Sequence, residues 1–215
     1  MQNILNITDM IPLPNLTKEN YKLFIYRLAD PDPEKYIFSD ALKTFLALAD
    51  VRLNFSDDFS DGEIPIFDMS GFSLKHVYKV QLPILKKYMV YTQEAHPVRL
   101  KQIHIINVPP FLDKAMAFVK PLMKSEVSSM LHFHQPQSTT LYKHIPQELL
   151  PEEYGGTVGK LSDIKNAWVK KVCDSRQFLL DDTRWKVDES KRPSESKYGK
   201  QFFDLQGSFR SLDID

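Results

Sequence analysis

Residues 99–130 constrain the fold most. A short apolar run, Lys101-Gln102-Ile103-His104-Ile105-Ile106-Asn107, leads through Val108-Pro109-Pro110 into a helical pattern from Phe111 to Met130. Placed at about 100° per residue, Phe111, Leu112, Ala115, Met116, Phe118, Val119, Leu122 and Met123 fill one broad apolar arc. Asp113, Lys114, Lys120 and Lys124 take the other side. A surface helix needs a stripe of about 100°, and this arc is about half as wide again. Two readings follow. The helix has two apolar partners, a cavity beneath and a membrane above, or it is a well-buried helix kinked at Pro121.

Before this segment the chain alternates strand and helix. Ile11-Pro12-Leu13-Pro14-Asn15 reads as an extended lead-in, because a residue preceding proline avoids the helical region. Tyr21 to Leu28 mixes aromatics with alternation and reads as a strand, closed by Asp30-Pro31-Asp32-Pro33. A helix capped by Ser39 follows, with Leu42, Phe45, Leu46, Ala49 and Leu53 on one face. Glu63 to Met69 is a short apolar strand interrupted by Pro65. Ser73 caps a long helix through Ala95, kinked or divided at Pro83. Strand, helix and strand joined by short links imply parallel pairing and a right-handed crossover. Leu131-His132-Phe133-His134 is a further short strand, Leu141–Ile145 a helical turn, and Leu161 to Leu180 an amphipathic helix with Ser162 as its cap. The polar stretch from Asp188 to Ser196 reads as linker or tail, and Phe202, Phe203, Leu205 and Phe209 suit a terminus that docks back.

Composition excludes several functions. Lys plus Arg and Asp plus Glu both total 28, so no global charge favours nucleic acid, and any basic site must be a local cluster. The single Cys173 excludes an internal disulfide, suits a reducing compartment, and has no neighbouring base to make it a nucleophile. No run approaches the roughly 20 apolar residues of a membrane span, and the first residues lack the basic end and apolar run of a signal peptide. Seven glycines against 14 prolines leave no Gly-rich phosphate loop, and no Gly-x-Ser-x-Gly elbow is present. Asp57, Asp58 and Asp61 read as a solvated turn, their spacing unlike a calcium loop. His132 and His134 share one strand face, with His144 a third imidazole, but no second cluster completes a zinc site, so polar or cavity-rim histidines are expected and no metal. Asn107 is expected to pin the turn after its strand through backbone hydrogen bonds. The bases Arg99, Lys101, Lys114, Lys120 and Lys124 beside a wide apolar helix suit anionic lipid heads, or else serve solubility alone.

Four ordered blocks carry a family resemblance. Asp61-Gly62-Glu63-Ile64-Pro65-Ile66-Phe67-Asp68-Met69-Ser70-Gly71 ends in Asp-x-x-Gly. His96 to Pro109 holds the next strand, Phe118-Val119-Lys120-Pro121-Leu122 a Lys-Pro element, and Leu149-Leu150-Pro151-Glu152-Glu153-Tyr154-Gly155-Gly156 the closing motif. From about Pro12 to Gly156 the chain resembles the CRAL-TRIO (yeast phosphatidylinositol-transfer-like) lipid-binding domain, in its tocopherol-transfer and retinaldehyde-binding branch and especially the insect members.

The resemblance implies an α/β fold. A mixed, mainly parallel sheet floor would be flanked by helices enclosing an apolar lipid pocket, roofed by a mobile gate helix over residues 108–130. It implies a pocket lined by Leu42, Phe45, Leu46, Ala49, Phe67, Tyr88, Tyr91, Thr92, Leu100, Ile103, Phe118, Val119, Leu122 and Met123. Arg99 and Lys101 fall on strand positions of the phosphoinositide cleft of the tocopherol-transfer relatives. Glu126 and Met130 stand at its two gate positions, so half of that cleft is missing, with Lys120 and Lys124 as substitutes. Family members carry a three-helix segment before this domain, whereas this chain begins almost at the lipid-binding part. Residues 1–157 are read as the lipid-binding domain, and 158–215 as an amphipathic helix and polar tail docking on it. The expected protein is a non-enzymatic, cytoplasmic, peripherally membrane-associated carrier of one hydrophobic small molecule, without cofactor or nucleic-acid partner. The alternative is a lipid-sensing or protein-interaction module that transfers nothing; an enzyme lacks any nameable nucleophile–base pair.

Overall fold

The computed structural model describes residues 1–55, 59–184 and 188–191. Its centre is a five-stranded sheet of β1 (Thr8–Leu16), β2 (Tyr21–Leu28), β3 (Gly62–Asp68), β4 (Ile103–Ile106) and β5 (Leu131–Phe133), in that spatial order. β1 is antiparallel to β2, and every later neighbour is parallel, the mixed and mainly parallel sheet expected.

The strand order never reverses, so right-handed crossovers carry every connecting helix over the same face. These are α2 (Phe38–Phe55) between β2 and β3, then α3 (Leu74–Tyr78) and α4 (Leu82–Glu94) between β3 and β4. α5 (Leu112–Val119), the 3-10 turn Lys120–Leu122 and α6 (Ser125–Ser128) lie between β4 and β5. The other face is left to the chain after β5. There Ile11, Leu13, Leu23, Ile25, Ile64, Ile66 and Ile106 pack with Leu141, Ile145, Leu150 and Leu161. Each such fully buried side chain contributes about 2 kcal/mol.

α1 (Gln2–Ile7) and α7 (Leu161–Asp174) close the β1 side. Leu161 belongs to the core just described, whereas Trp168 and Val172 pack with Leu5 of α1 and with Leu48 and Val51 of α2. α7 thus runs past the β1 edge from one face to the other, covering a strand edge that otherwise invites intermolecular pairing. Asp9, buried in β1, accepts Arg27 Nε at 2.6 Å and Lys165 Nζ at 2.8 Å, tying α7 to β1 and β2.

Several expectations change. The helix over 111–130 is not continuous: Met123 and Lys124 are extended and divide it after the Lys120–Leu122 turn, where Pro121 supplies no amide hydrogen. Pro83 divides the long helix, lying in the first turn of α4. The lead-in around Pro12 and Pro14 is part of β1, which tolerates proline because it is an edge strand. α2 begins at Phe38, one residue before Ser39. Ser162 does not cap α7; the Glu153 carboxylate accepts the Leu161 amide at 2.9 and 3.0 Å. α7 stops at Asp174, and α8 (Arg176–Leu180) follows.

Met1–Leu179 forms one compact unit, and the described residues from Leu180 to Lys191 belong to a second. In the second, Asp181 accepts Thr183 Oγ1 at 2.5 Å and Arg184 Nε at 2.9 Å. Phe202, Phe203, Leu205 and Phe209, most of the expected polar tail, and Asp57 and Asp58 of the acidic loop lie outside the described residues.

Candidate functional site

A row of apolar side chains crosses the helix-covered face of the sheet from edge to edge, with Lys22 and Glu63 on the same face at its β2–β3 end. Cross-strand register aligns Met10, Tyr26, Phe67, Ile105 and Phe133 in one row through all five strands. Partners in register point to the same face, and alternation gives the row its neighbours Pro12, Phe24, Ile103 and Leu131. Tyr26 stacks on Phe67 at 5.1 Å between ring centroids. Above it, Phe45 of α2 tilts onto Tyr26 at 5.6 Å and meets Tyr88 of α4 edge-on at 5.4 Å. Farther out, Leu42, Tyr88, Val119, Leu122 and Met123 pack around Phe38, Leu85 and Met89.

Tyr26 and Tyr88 are half-buried. Yet desolvation by burial pushes both phenols far above the ordinary tyrosine range. Beside Tyr26, a small cavity of about 20 Å³ is lined by Met10, Phe45, Ala49, His96 and Trp168, among others. The segment over this region is much more open. Leu112 is the buried residue of α5, and Phe118 remains 44% exposed. On the edge strand, Phe133 is 46% exposed.

The structure brings together Leu42, Phe45, Ala49, Phe67, Tyr88, Val119, Leu122 and Met123 through these contacts. Ile103 shares their sheet face by register with Leu131. Leu46 is half-buried on α2. Tyr91 packs on His96, which in turn packs on Phe45. Thr92 donates its hydroxyl to the Met89 carbonyl at 3.3 Å, and Leu100 bridges to Glu63 ahead of β4. Sequence reasoning missed Met10, Phe24, Tyr26, Ile105, Phe133, His96 and Trp168. The signal was present for Phe24 and Tyr26: Leu23 and Ile25 alternate with them and fill the opposite core.

The four bases form two groups. Arg99 lines a polar cleft of about 270 Å³ with Arg52, Phe59, Asp61 and Glu63, and Arg52 is ion-paired with Glu63. Lys101 places its ammonium 5.0 Å from the Tyr21 ring centroid. Lys124 pairs with Glu94 at 3.1 Å, and Lys120 lies on the exposed side of the gate segment beside Asp113 and Met116.

Three of the sequence blocks converge on one carboxylate. Asp68 Oδ1 accepts the Ser70 amide at 2.9 Å and Asn107 Nδ2 at 2.8 Å, and Oδ2 accepts the Tyr154 hydroxyl at 2.9 Å. Asn107, at φ 52°, thus bonds a side chain, not the backbone groups expected of it. Gly71 is required at φ 77°, where an added Cβ would also meet Pro31 at 2.9 Å.

Across the sheet from the apolar row, the register Ile11–Ile25–Ile66–His104–His132 turns polar at β4 and β5. His104 is fully buried among His132, His134 and His144, with ring centroids 5.0 to 5.2 Å away. Among the described residues, no three His, Cys, Asp or Glu side chains are arranged to hold a metal ion.

The family profile described as "CRAL/TRIO domain" matches residues 8–156. A mouse (Mus musculus) protein named alpha-tocopherol transfer protein-like is 24% identical over 161 residues, covering 75% of this chain and 47% of that protein. Rat (Rattus norvegicus) clavesin-1 is 28% identical over 146 residues, covering 68% of this chain and 41% of its own length. The chain thus spans about half the length of the curated relatives it matches. A solved structure, titled "Crystal structure of Sfh5", aligns with a TM-score of 0.46 at 12% identity, covering 84% of this chain and 67% of that one.

Proposed function

Because the chain belongs to the CRAL/TRIO family of lipid-binding domains, we propose that it holds one hydrophobic small molecule and exchanges it at membrane surfaces. The ligand would lie between the helix-covered sheet face and α2, α4 and α5. The observation that carries this reading is the unbroken apolar row from Met10 to Phe133 beneath Phe45 and Tyr88. Such a wall gives binding energy without demanding a charged partner. Burying about 300 Å² of ligand would contribute roughly 7 kcal/mol, before ordering costs are deducted. Tocopherol-like, retinoid, carotenoid, sterol-like and phospholipid ligands all offer that area; the naming of the mouse relative favours a tocopherol-like molecule.

Residues 112–128 serve as the gate. Moving them exposes the apolar sides of Val119, Leu122 and Met123 to water, which is unfavourable, and contact with lipid removes that cost. Exchange is therefore coupled to transient, peripheral membrane contact from the cytoplasm. No described helix is long and apolar enough to cross a membrane. Arg99, Lys101, Lys120 and Lys124 attract anionic headgroups, phosphoinositides included, and each base near such a surface contributes about 1 kcal/mol. The protein acts as a carrier, without covalent chemistry on its cargo.

Vesicle-to-vesicle transfer of a fluorescent tocopherol analogue tests this directly. Transfer to phosphatidylserine-containing vesicles is expected to slow about tenfold or more in an Arg99→Glu/Lys101→Glu variant, and to slow with added salt in the wild type. Equal wild-type rates on neutral and anionic vesicles would remove the electrostatic element. Loading without transfer would mark a lipid sensor instead.

A further inference from the structure

The histidine cluster lies on the sheet face opposite the proposed pocket, but it shares β4 and β5 with it. A single hydrogen-bonded chain runs through it. His104 Nε2 meets Gln102 Oε1 at 2.9 Å, which places the Nε2 proton on His104 and leaves Nδ1 as an acceptor. His134 Nε2–H then donates to His104 Nδ1 at 2.9 Å. His134 Nδ1 accepts from the Thr140 hydroxyl at 2.7 Å, and Thr140 accepts from Ser138 at 2.8 Å. Every imidazole in this chain is neutral.

Two further rings press on it. His132, opposite His104 in register, stacks on it at 5.0 Å, and His144 lies 4.4 Å from His132. A first proton on His104 Nδ1 is accommodated only by reversing the donors from His134 through Thr140 to Ser138, while the bond to Gln102 stays. A second, on His134, sets N–H against N–H. Among the described residues, no carboxylate is ion-paired with these rings. Neighbouring Ile66 is apolar, and the Asp68 carboxylate is committed to Tyr154, Asn107 and Ser70. Lys143, next to His144 in sequence, carries the same sign as a protonated cluster. Burial, then His134, His132 and His144, push His104 down to about 3. Burial and histidine neighbours lower His132 and His134 too.

We propose that His104, His132 and His134, with the His144 ring packed against them, form a proton-operated latch that holds edge strand β5, and with it the segment 112–130, closed when neutral. The connection is short. His134 N–H donates to the Ile105 carbonyl at 2.8 Å, and Ile103 N–H donates to Met130 O at 2.8 Å, where the gate segment enters β5. Charging the rings forces apart strands joined by few such bonds. The sign follows from linkage. Bases that titrate lower in the folded state than at their ordinary 6.5 stabilise the closed form fully above that pH. That contribution is lost progressively as pH falls from 6.5 toward 3. The use of this latch in releasing cargo rests on the carrier reading above; the latch itself does not require a ligand.

Deuterium uptake of the full, lipid-free chain, corrected for intrinsic exchange rates, tests it at about pH 7.5 and about pH 5.5. Uptake over 112–134 is expected to accelerate by roughly tenfold per proton over the unit below 6.5, with 21–28 and 62–68 unchanged. His132→Gln/His144→Gln removes the two rings outside the hydrogen-bonded chain and is expected to weaken the response. A flat wild-type response, equal acceleration throughout the sheet, or the same response in the variant would overturn the latch. A chain that loosens in acid but carries no lipid upholds the latch and fails only the carrier reading.

Discussion

Gly156→Ala is expected to lower the melting temperature by roughly 10 °C or more, the largest single-residue effect on stability anticipated in the domain. A Cβ at this position would sit 1.8 Å from the Leu150 carbonyl oxygen and 2.5 Å from that of Gln147. Both obstacles are backbone, so no side chain can swing aside. The chain must move, and what moves with it matters. Gly156 N–H donates to Pro151 O at 3.0 Å, and Tyr154, two residues earlier, anchors Asp68. Leu150 is fully buried in the core beneath β1, β2 and β3. Overpacking that displaces backbone costs about 3 kcal/mol at the upper end of its usual range, and here it also loosens the Tyr154–Asp68 bond, worth about 1.5 kcal/mol or more. Thermal unfolding followed by circular dichroism reads the result; a change within about 2 °C would mean that the closing motif carries little of the packing.

Val119→Asp is expected to abolish lipid loading while leaving the fold in place. Val119 packs with Leu122 and Met123 on the cluster of Phe38, Leu85 and Met89. Loss of the apolar contact that Val119 would make with a ligand costs about 1.5–3 kcal/mol, which alone corresponds to about tenfold or more in affinity. A carboxylate facing the apolar row adds its desolvation cost. α5 itself is largely open, with only Leu112 buried, so the unfolding midpoint should move little. Equilibrium loading with a fluorescent tocopherol analogue, beside a thermal melt, checks both halves. Unchanged loading would remove the gate segment from the binding wall.

The parts of the fold legible in the sequence are those written by local periodicity. β2, β3, β4, β5 and α2 follow from alternation and helical spacing, and short links between them dictated parallel pairing. β1 was obscured by Pro12 and Pro14, which suppress a strand pattern but are tolerated at an edge. The broad apolar arc over 111–130 suggested one long helix. Its arc is real in α5, but the extended residues after the Lys120–Leu122 turn divide it.

The candidate site was legible on the helices, less so on the sheet. Phe45 and Ala49 stand on the α2 face that spacing identifies, while their place in a pocket, and that of Tyr88, came from the family resemblance. Met10, Ile105 and Phe133 join the site only through register, a long-range property of strands far apart in sequence. The histidines show the same divide. Alternation puts His132 and His134 on one face, but His104 and the polar chain through Gln102 and Thr140 appear only when β4 pairs with β5.

The most direct measurement is native mass spectrometry of the chain purified from cells in which it is produced, followed by extraction and identification of whatever is bound. One hydrophobic molecule per chain is expected, displaced by a fluorescent tocopherol analogue and missing from Val119→Asp. A folded wild-type chain that carries no lipid from the cell and binds none offered to it would contradict the proposal that the row from Met10 to Phe133 is a ligand wall.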